Sequence, residues 1–220
     1  MLKIYKHANI VRPLIIFLFL IYPPVAFAQG GYLKFNDLFI DYSHVNGNSV
    51  QKQADAYFVK AFDAADEHER EKNYHLAMHK YFVLVKAYPY DSYAYVQIGR
   101  IHDENDRDRL AKKHFFHALN LDRTNPYTNY YFGQYYEKRQ NYNKALKYYL
   151  SAYNNGYKDN YYANLKLACM YERLGDIKKA IDFYSNSYKI NPNASDVYNK
   201  IQSLNSLNYE HSEYYHFIRE

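Results

Sequence analysis

Two pairs of histidines have the spacing of metal ligands on a helix. His75 and His79 are four residues apart, and His114 and His117 are three apart. Side chains at these spacings project from one face of a helix, where imidazoles can bind a transition metal. Neither pair has a third histidine or a carboxylate visibly placed in the sequence to complete a ligand set. We therefore expect no metal site and interpret both pairs as solvated surface on the outer side of their helices.

The other reactive residue types argue against catalysis. Cys169 is the only cysteine, and a thiol nucleophile needs a nearby base that activates it. No histidine–carboxylate combination lies near Cys169 in sequence. The chain also lacks a glycine-rich phosphate loop, a serine-nucleophile motif and paired cysteines for zinc. We expect a non-enzymatic protein without a cofactor, in which Cys169 is a small residue of a packed helix.

The histidine pairs and Cys169 lie within an internal sequence repeat. Four alanines recur at intervals of 34, 34 and 35 residues: Ala77, Ala111, Ala145 and Ala180. Four residues after each alanine comes an aromatic residue: Tyr81, Phe115, Tyr149 and Tyr184. Twelve residues before each alanine comes a small residue: Ala65, Gly99, Gly133 and Ala168. A period of about 34 residues is typical of stacked helical hairpins, whose two helices approach closely only where short side chains cross.

This pattern resembles the tetratricopeptide repeat (TPR) family. Gly175 suits the left-handed backbone that ends a helix, and Asp176 is a good N-cap for the next one. Pro89 and Pro192 stand where second helices end. The resemblance implies an all-α, right-handed superhelical solenoid of antiparallel helix pairs over residues 54–207. We assign repeats to residues 58–91, 92–125, 126–160 and 161–194, with the extra residue of the third in the turn-rich stretch 154–160, and a capping helix to residues 195–207.

The two ends of the chain lie outside this repeat. Residues 1–28 combine basic residues, a short apolar run and a small-x-small site, the pattern of a cleaved secretory signal peptide. An uncleaved membrane anchor is the alternative. We expect export to the periplasm or the exterior, and no stable membrane span after cleavage. Residues 29–53 are interpreted as a linker or an N-terminal cap, with a turn at residues 46–49, and residues 208–220 as a tail that forms a short helix or a frayed end.

The charge of the chain does not indicate nucleic-acid binding. The full sequence has a formal charge of +5, but residues 1–28 contain three Lys or Arg and no Asp or Glu. The remainder is close to neutral and lacks the strongly basic character of nucleic-acid-binding domains. We therefore expect no nucleic-acid partner; a protein partner is what the family resemblance implies.

Tyrosine dominates the positions expected on the concave face of the solenoid, which first helices line. Tyrosine combines a large apolar area with a polar tip, which suits the binding of a peptide. The predicted groove residues are Phe62, Tyr93, Gln97, Arg100, Tyr127, Tyr130, Tyr131, Gln134, Tyr162, Lys166 and Arg173. We expect an acidic N-terminal end, from Asp66 and Glu69 among others, and a more basic C-terminal end. Alternatively, the 30 tyrosines of the chain reflect a compositional bias and fill ordinary core and surface positions.

The family resemblance implies a scaffold or adaptor that binds a segment of another protein, here in the bacterial cell envelope. Chaperone-binding members of the family grip a C-terminal carboxylate with Lys, Asn and Arg. Other residues occupy those places in this chain, so that activity is not implied. One alternative is an accessory or glycan-binding subunit of polysaccharide or polymer export, because aromatic faces stack on sugar rings. Another is a secreted effector that acts on a host protein.

Overall fold

The computed structural model describes residues 42–217, with side chains through residue 206. The predicted signal peptide, residues 29–41 and residues 218–220 lie outside the described residues. Within this range nine α-helices follow one another and no strand is present. They are α1 (Gly47–Asp63), α2 (Glu67–Ala87), α3 (Ser92–Glu104), α4 (Asp108–Leu121), α5 (Pro126–Lys138), α6 (Tyr142–Ala152), α7 (Tyr161–Arg173), α8 (Ile177–Ile190) and α9 (Ser195–Phe217). None of these helices is long and apolar enough to cross a membrane.

Consecutive helices pair as antiparallel hairpins. α1 packs on α2, α3 on α4, α5 on α6 and α7 on α8, and α9 covers α8 at the end of the row. Neighbouring hairpins meet where α2 contacts α3, α4 contacts α5 and α6 contacts α7. The predicted fold, a right-handed solenoid of four helix pairs with a C-terminal capping helix, is confirmed.

The repeated positions form the core between the helices. All four alanines of the repeat are fully buried, and the four aromatic residues that follow them are at most 4% exposed. Short side chains on the second helices let the helices approach, and the aromatic rings one turn later fill the space that remains. The 34-residue pattern of the second helices is therefore a packing pattern.

A left-handed residue turns the chain in each of the last three hairpins. Gly175 has φ of 83°, as predicted, and Asp106 and Gln140 occupy the equivalent places with φ of 53° and 56°. The side chain of Asp176 accepts a hydrogen bond from the backbone N–H of Lys179 at 3.2 Å, which confirms it as the N-cap of α8. The polar turn residues are tolerated here because only single left-handed positions are needed.

The first hairpin departs from the predicted register. Ala65 is exposed in the loop after α1, whereas Ala61 is fully buried in the same cluster as Ala77. The physical reason is the length of α2, which has 21 residues against 14 in α4. The additional turns lie at its N-terminus and move the loop towards the start of the chain.

The predicted linker is also too long, because residues 47–53 belong to α1. The side chain of Asn46 caps this helix by accepting a hydrogen bond from the backbone N–H of Ser49 at 3.1 Å. The hydroxyl of Tyr88, at the end of α2, donates to the carbonyl of Val45 at 2.8 Å. The residues that suggested a turn therefore begin α1. The Asn46 cap and the hydrogen bond from Tyr88 fix the start of this helix.

In each of three hairpins, a tyrosine hydroxyl donates a hydrogen bond to a carboxylate on the other helix. The second helix supplies a buried tyrosine and the first helix supplies the acid. The pairs are Tyr81 with Asp55, Tyr149 with Glu137, and Tyr184 with Glu172. Burial raises the pKa of all three tyrosines far above the ordinary value, so each hydroxyl remains a donor. In the second hairpin Phe115 occupies this place and no such bond forms.

The third and last parts of the array differ in detail from the prediction. The extra residue of the third repeat is accommodated in a kinked turn, Tyr153–Tyr157, whose backbone is non-helical at Asn155 and at Gly156, where φ is 138°. The capping helix is longer than predicted, since α9 continues to Phe217 instead of ending at 207. Its buried residues Val197 and Leu204 cover the last hairpin, as a solenoid requires.

Candidate functional site

The first helices of all four hairpins line one open cavity of about 660 Å³. Phe62 of α1, Arg100 of α3, Tyr131 of α5 and Tyr162 of α7 all border it. Cavities of this size can take several side chains of a partner. The cavity lies where the prediction placed the groove, and it is called the groove below.

Eight of the eleven predicted residues line the groove: Phe62, Arg100, Tyr127, Tyr130, Tyr131, Gln134, Tyr162 and Lys166. Their positions follow from the spacing of the first helices, in which residues on one side of the small position face away from the second helix. The first hairpin contributes only Phe62, because its register is shifted.

Tyrosine rings of α5 form the wall of the groove. The Tyr127 and Tyr131 rings are 4.6 Å apart, and the Tyr130 and Tyr131 rings are 5.4 Å apart, both edge-on. Tyr127 also stacks on Tyr93 of α3 at 5.2 Å. Burial raises the pKa of Tyr127 and of Tyr130 well above the ordinary range. These rings therefore belong both to the groove wall and to the core behind it.

Two rings at the rim of the groove are largely exposed to solvent. Phe62 is 66% exposed and Tyr162 is 63% exposed, although both border the cavity. Exposed aromatic rings beside a cavity are a common feature of binding surfaces. They are the groove residues that a partner can cover with the least disturbance of the fold.

The charges of the groove are interleaved, which corrects the predicted separation into an acidic and a basic end. Glu137 pairs with Lys166 at 3.0 Å, and Lys138 donates to the carbonyl of Asp103 at 2.8 Å. Asp66 caps α2 and Glu69 lies on α2, and neither borders the groove. Because of the shifted register the first hairpin contributes no acid to the groove, whose acidic residues are Asp103, Glu104 and Glu137.

Arg100 is the one groove cation without an ion-pair partner among the described residues. Its guanidinium carbon lies 4.4 Å from the ring centroid of Phe58 and 4.1 Å from that of Tyr131. Its Nη1 donates to the side-chain oxygen of Gln97 at 2.8 Å. Rings from α1 and α5 and an amide from α3 thus hold the guanidinium in place.

Three predicted residues do not line the groove. Gln97 is buried behind Arg100, and its amide donates to the Tyr93 hydroxyl at 2.9 Å. That hydroxyl in turn donates to Asp55 at 2.8 Å, and burial with this bond raises the pKa of Tyr93 to about 12. Gln97 therefore holds the guanidinium of Arg100, and Tyr93 holds the amide of Gln97. Arg173 borders a different cavity.

Sequence reasoning missed residues that come from outside the first helices. Tyr157 and Asn160, from the kinked turn after α6 and the loop that follows it, complete the groove beside Tyr130. The inserted residue in the third repeat was the available signal, since an insertion beside a groove brings additional side chains to it.

The histidine pairs differ from each other. His75 and His79 are exposed on α2, as expected. His114 is half-buried, with its ring 5.4 Å from that of His102, which corrects the prediction of a solvated surface. The described residues contain no group of three or more His, Cys, Asp or Glu that could hold a metal ion.

The positions of His102 and His114 also hold a stacked pair of rings in the third and fourth hairpins. The equivalent pairs are Tyr136 with Tyr148, at 5.5 Å, and Tyr171 with Phe183, at 5.4 Å. The second hairpin thus uses two imidazoles where the next two use larger aromatic rings. Burial, with the charges of His102 and neighbouring residues, lowers the pKa of His114 to about 4.

The second cavity, of about 610 Å³, is bordered by Cys169, Arg173, Glu172 and Lys200. The sulfur of Cys169 lies 3.3 Å from the hydroxyl of Tyr184, which donates to Glu172. Glu172 also pairs with Lys200 of α9 at 2.6 Å. These contacts link Cys169 to Lys200 through Tyr184 and Glu172, and the ion pair ties the capping helix to the fourth hairpin.

Comparison with known proteins agrees with this architecture. Residues 161–194 match the sequence profile of the tetratricopeptide repeat. No curated protein shows significant sequence similarity to the chain. Among solved structures, PilF of Pseudomonas aeruginosa has a TM-score of 0.59 at 16% identity, over 74% of this chain and 72% of that one.

Two further structures are similar at low identity. PilW, described as a widely conserved type IV pilus biogenesis factor, has a TM-score of 0.59 at 18% identity, over 73% of this chain and 69% of that one. MamA has a TM-score of 0.53 at 19% identity, over 64% of this chain and 84% of that one. At these identities the likeness concerns the fold. The fourth hairpin therefore matches a tetratricopeptide repeat in sequence, and the solved structures share the helical-hairpin fold of the chain.

Proposed function

We propose that this protein is a non-enzymatic scaffold of the bacterial cell envelope that binds a segment of a partner protein in its groove. The observation that carries the proposal is that four successive first helices build one cavity with two exposed aromatic rings at its rim. Such a surface is formed before the partner arrives, so little ordering of the scaffold opposes binding.

Two further observations support the place and kind of action. PilW, which shares the fold, is described as a widely conserved type IV pilus biogenesis factor. The first 28 residues have the composition of a secretory signal peptide. Together they favour an exported protein that acts in the periplasm or outside the cell.

A capture experiment with paired variants tests the binding function. The full chain, with and without the double substitution Phe62→Ala and Tyr162→Ala, is used to capture proteins from the envelope of the producing cell. The matched control is Phe82→Ala with Tyr90→Ala, because these rings are 43% and 87% exposed and do not border the groove. We expect specific partners to be retained by the native chain and by the control and lost from the groove variant.

Equal capture by all three chains would contradict the proposal, as would a partner lost only from the control. Cell fractionation tests the location independently: the protein should be recovered from the periplasm or medium, shortened by about the length of the signal peptide. Binding of a purified oligosaccharide instead of a protein, with the same sensitivity to Phe62 and Tyr162, would favour the glycan-binding alternative.

A further inference from the structure

We propose that Arg100 is the anchor of the groove and binds the carboxylate of an Asp or Glu side chain within an extended partner segment. This inference rests on the proposed function, because it names the chemistry of the segment that the groove receives. It follows from the charge, the surroundings and the geometry of Arg100.

Arg100 makes no ion pair with the described residues, whereas the other two groove cations each lie within ion-pair distance of a carboxylate. Lys166 has the carboxylate of Glu137 at 3.0 Å. Lys138 donates to a backbone carbonyl and lies 3.7 Å from the carboxylate of Asp106. Asp103, the acid nearest to Arg100 in sequence, pairs with Arg139 at 2.7 Å. An additional carboxylate in the groove would therefore meet Arg100.

The guanidinium of Arg100 is also pre-organised for that contact. The rings of Phe58 and Tyr131 and the side-chain oxygen of Gln97 restrict its rotamers. Only one of its five N–H groups has a partner among the described residues, so several donors remain for a carboxylate, including a two-pronged arrangement. A lysine could not present this planar fork.

The surroundings select a peptide over a small anion. Arg100 lies in an aromatic groove whose rim rings, Phe62 and Tyr162, are largely exposed. A free inorganic anion would satisfy Arg100 but leave those rings in water. A segment with an acidic residue between apolar residues satisfies both, because side chains two positions apart in an extended chain lie on the same face.

Glu104 indicates a second charged position in the proposed segment. It borders the groove one helical turn beyond Arg100 and has no ion pair among the described residues. Four residues of helix rise about 6 Å, close to the roughly 6.6 Å that separates side chains two positions apart in an extended chain. A basic residue two positions from the acid, in place of one of the two apolar residues, should therefore strengthen binding.

Selection from a library of displayed random dodecapeptides on the full-length protein tests the proposal. We expect the selected peptides to share an Asp or Glu flanked by apolar residues. In a synthetic copy with blocked termini, replacing that acid by Asn or Gln should weaken binding measured by calorimetry about tenfold or more. Arg100→Gln should weaken the acidic peptide by a similar factor and leave the amide peptide unchanged.

The control is Arg173→Gln, which removes a cation from the second cavity and should not alter peptide affinity. Because the peptide-side substitution needs no protein variant, the test survives if Arg100→Gln does not fold. Peptides that lose binding with Phe62→Ala and Tyr162→Ala, yet carry no acid or ignore Arg100, would overturn this inference and leave the proposed function standing. Selection of no groove-dependent peptide, or binding of an oligogalacturonate probe instead, would overturn both.

Discussion

At the scale of single residues, the two glycines of the first helices are not equivalent. A Cβ added at Gly133 would lie 2.7 Å from two ring carbons of Tyr149, whereas one at Gly99 would lie 3.3 Å from the nearest ring carbon of Phe115. The Tyr149 ring cannot easily move aside, because its hydroxyl is bonded to Glu137. Gly133 is therefore the tighter of the two crossings.

We predict that Gly133→Ala destabilises the protein by about 1–3 kcal/mol, since even one methyl group overpacks this crossing. Gly99→Ala should be close to neutral, because the helix propensity of alanine offsets a milder contact. Thermal melting followed by circular dichroism measures both. If the two variants have the same melting temperature, the prediction is wrong, because the closer contact at Gly133 would then have no energetic consequence.

At the same scale, the spacing along a first helix predicts which side of the helix a residue occupies. Tyr131 and Lys166 could be assigned from spacing alone. Gln97 has equivalent spacing, but its role depends on the hydrogen bond that it makes with Arg100. Spacing shows which way a side chain points and does not show which neighbour it will bind.

At the scale of helices and hairpins, the stacked histidines make the second hairpin sensitive to acid. The pKa of His114 is about 4 in the folded protein, below the ordinary value of about 6.5. The unfolded chain therefore binds the proton first as pH falls. The stabilising contribution of neutral His114 is complete above about pH 6.5 and is lost progressively down to about pH 4.

We predict that His114→Phe reduces this loss. Phenylalanine fills the equivalent place in the fourth hairpin as Phe183, so the stack should be preserved. Between pH 7 and pH 4.5 the native chain should lose roughly 2 kcal/mol more stability than the variant, after allowance for partial exposure of the ring. Urea unfolding at the two pH values measures the difference, and parallel curves would show that His114 does not control the acid response.

The second helices could be aligned from the sequence because alanine and an aromatic recur on them without interruption. The first helix of hairpin one could not, because the additional turns of α2 move the loop and leave Ala65 exposed. The repeats are aligned on their second helices. Wherever a helix or loop changes length, the first helix is then assigned to the wrong residues. The longer capping helix was missed for a related reason, since residues 208–217 lie beyond the last complete repeat.

At the scale of the whole molecule, the hydroxyl–carboxylate bonds of three hairpins place protonated tyrosines along the array. Their pKa values are raised in the folded state by burial. The unfolded chain therefore loses these protons first, above about pH 10. The stability that the tyrosines contribute is complete below that pH and declines as pH rises further.

We predict that stability falls steeply above pH 10 and that Tyr149→Phe makes the fall shallower. At neutral pH the same substitution should cost about 1–2 kcal/mol, the contribution of a hydrogen bond to a charged group. Phe115 shows that phenylalanine fits this place in another hairpin. Urea midpoints at pH 8 and pH 10.5 test the prediction, which is wrong if the native chain and the variant respond equally to alkali.

The tyrosine-lined groove has a practical consequence, because the chain contains 30 tyrosines and no tryptophan. Ultraviolet fluorescence of the free protein comes mainly from tyrosine, because phenylalanine emits only weakly. A peptide that carries one tryptophan would then be the sole indole in the complex, and excited rings such as Tyr130 and Tyr131 would transfer energy to it at close range. Occupancy of the groove can thus be followed by emission from an unlabelled protein.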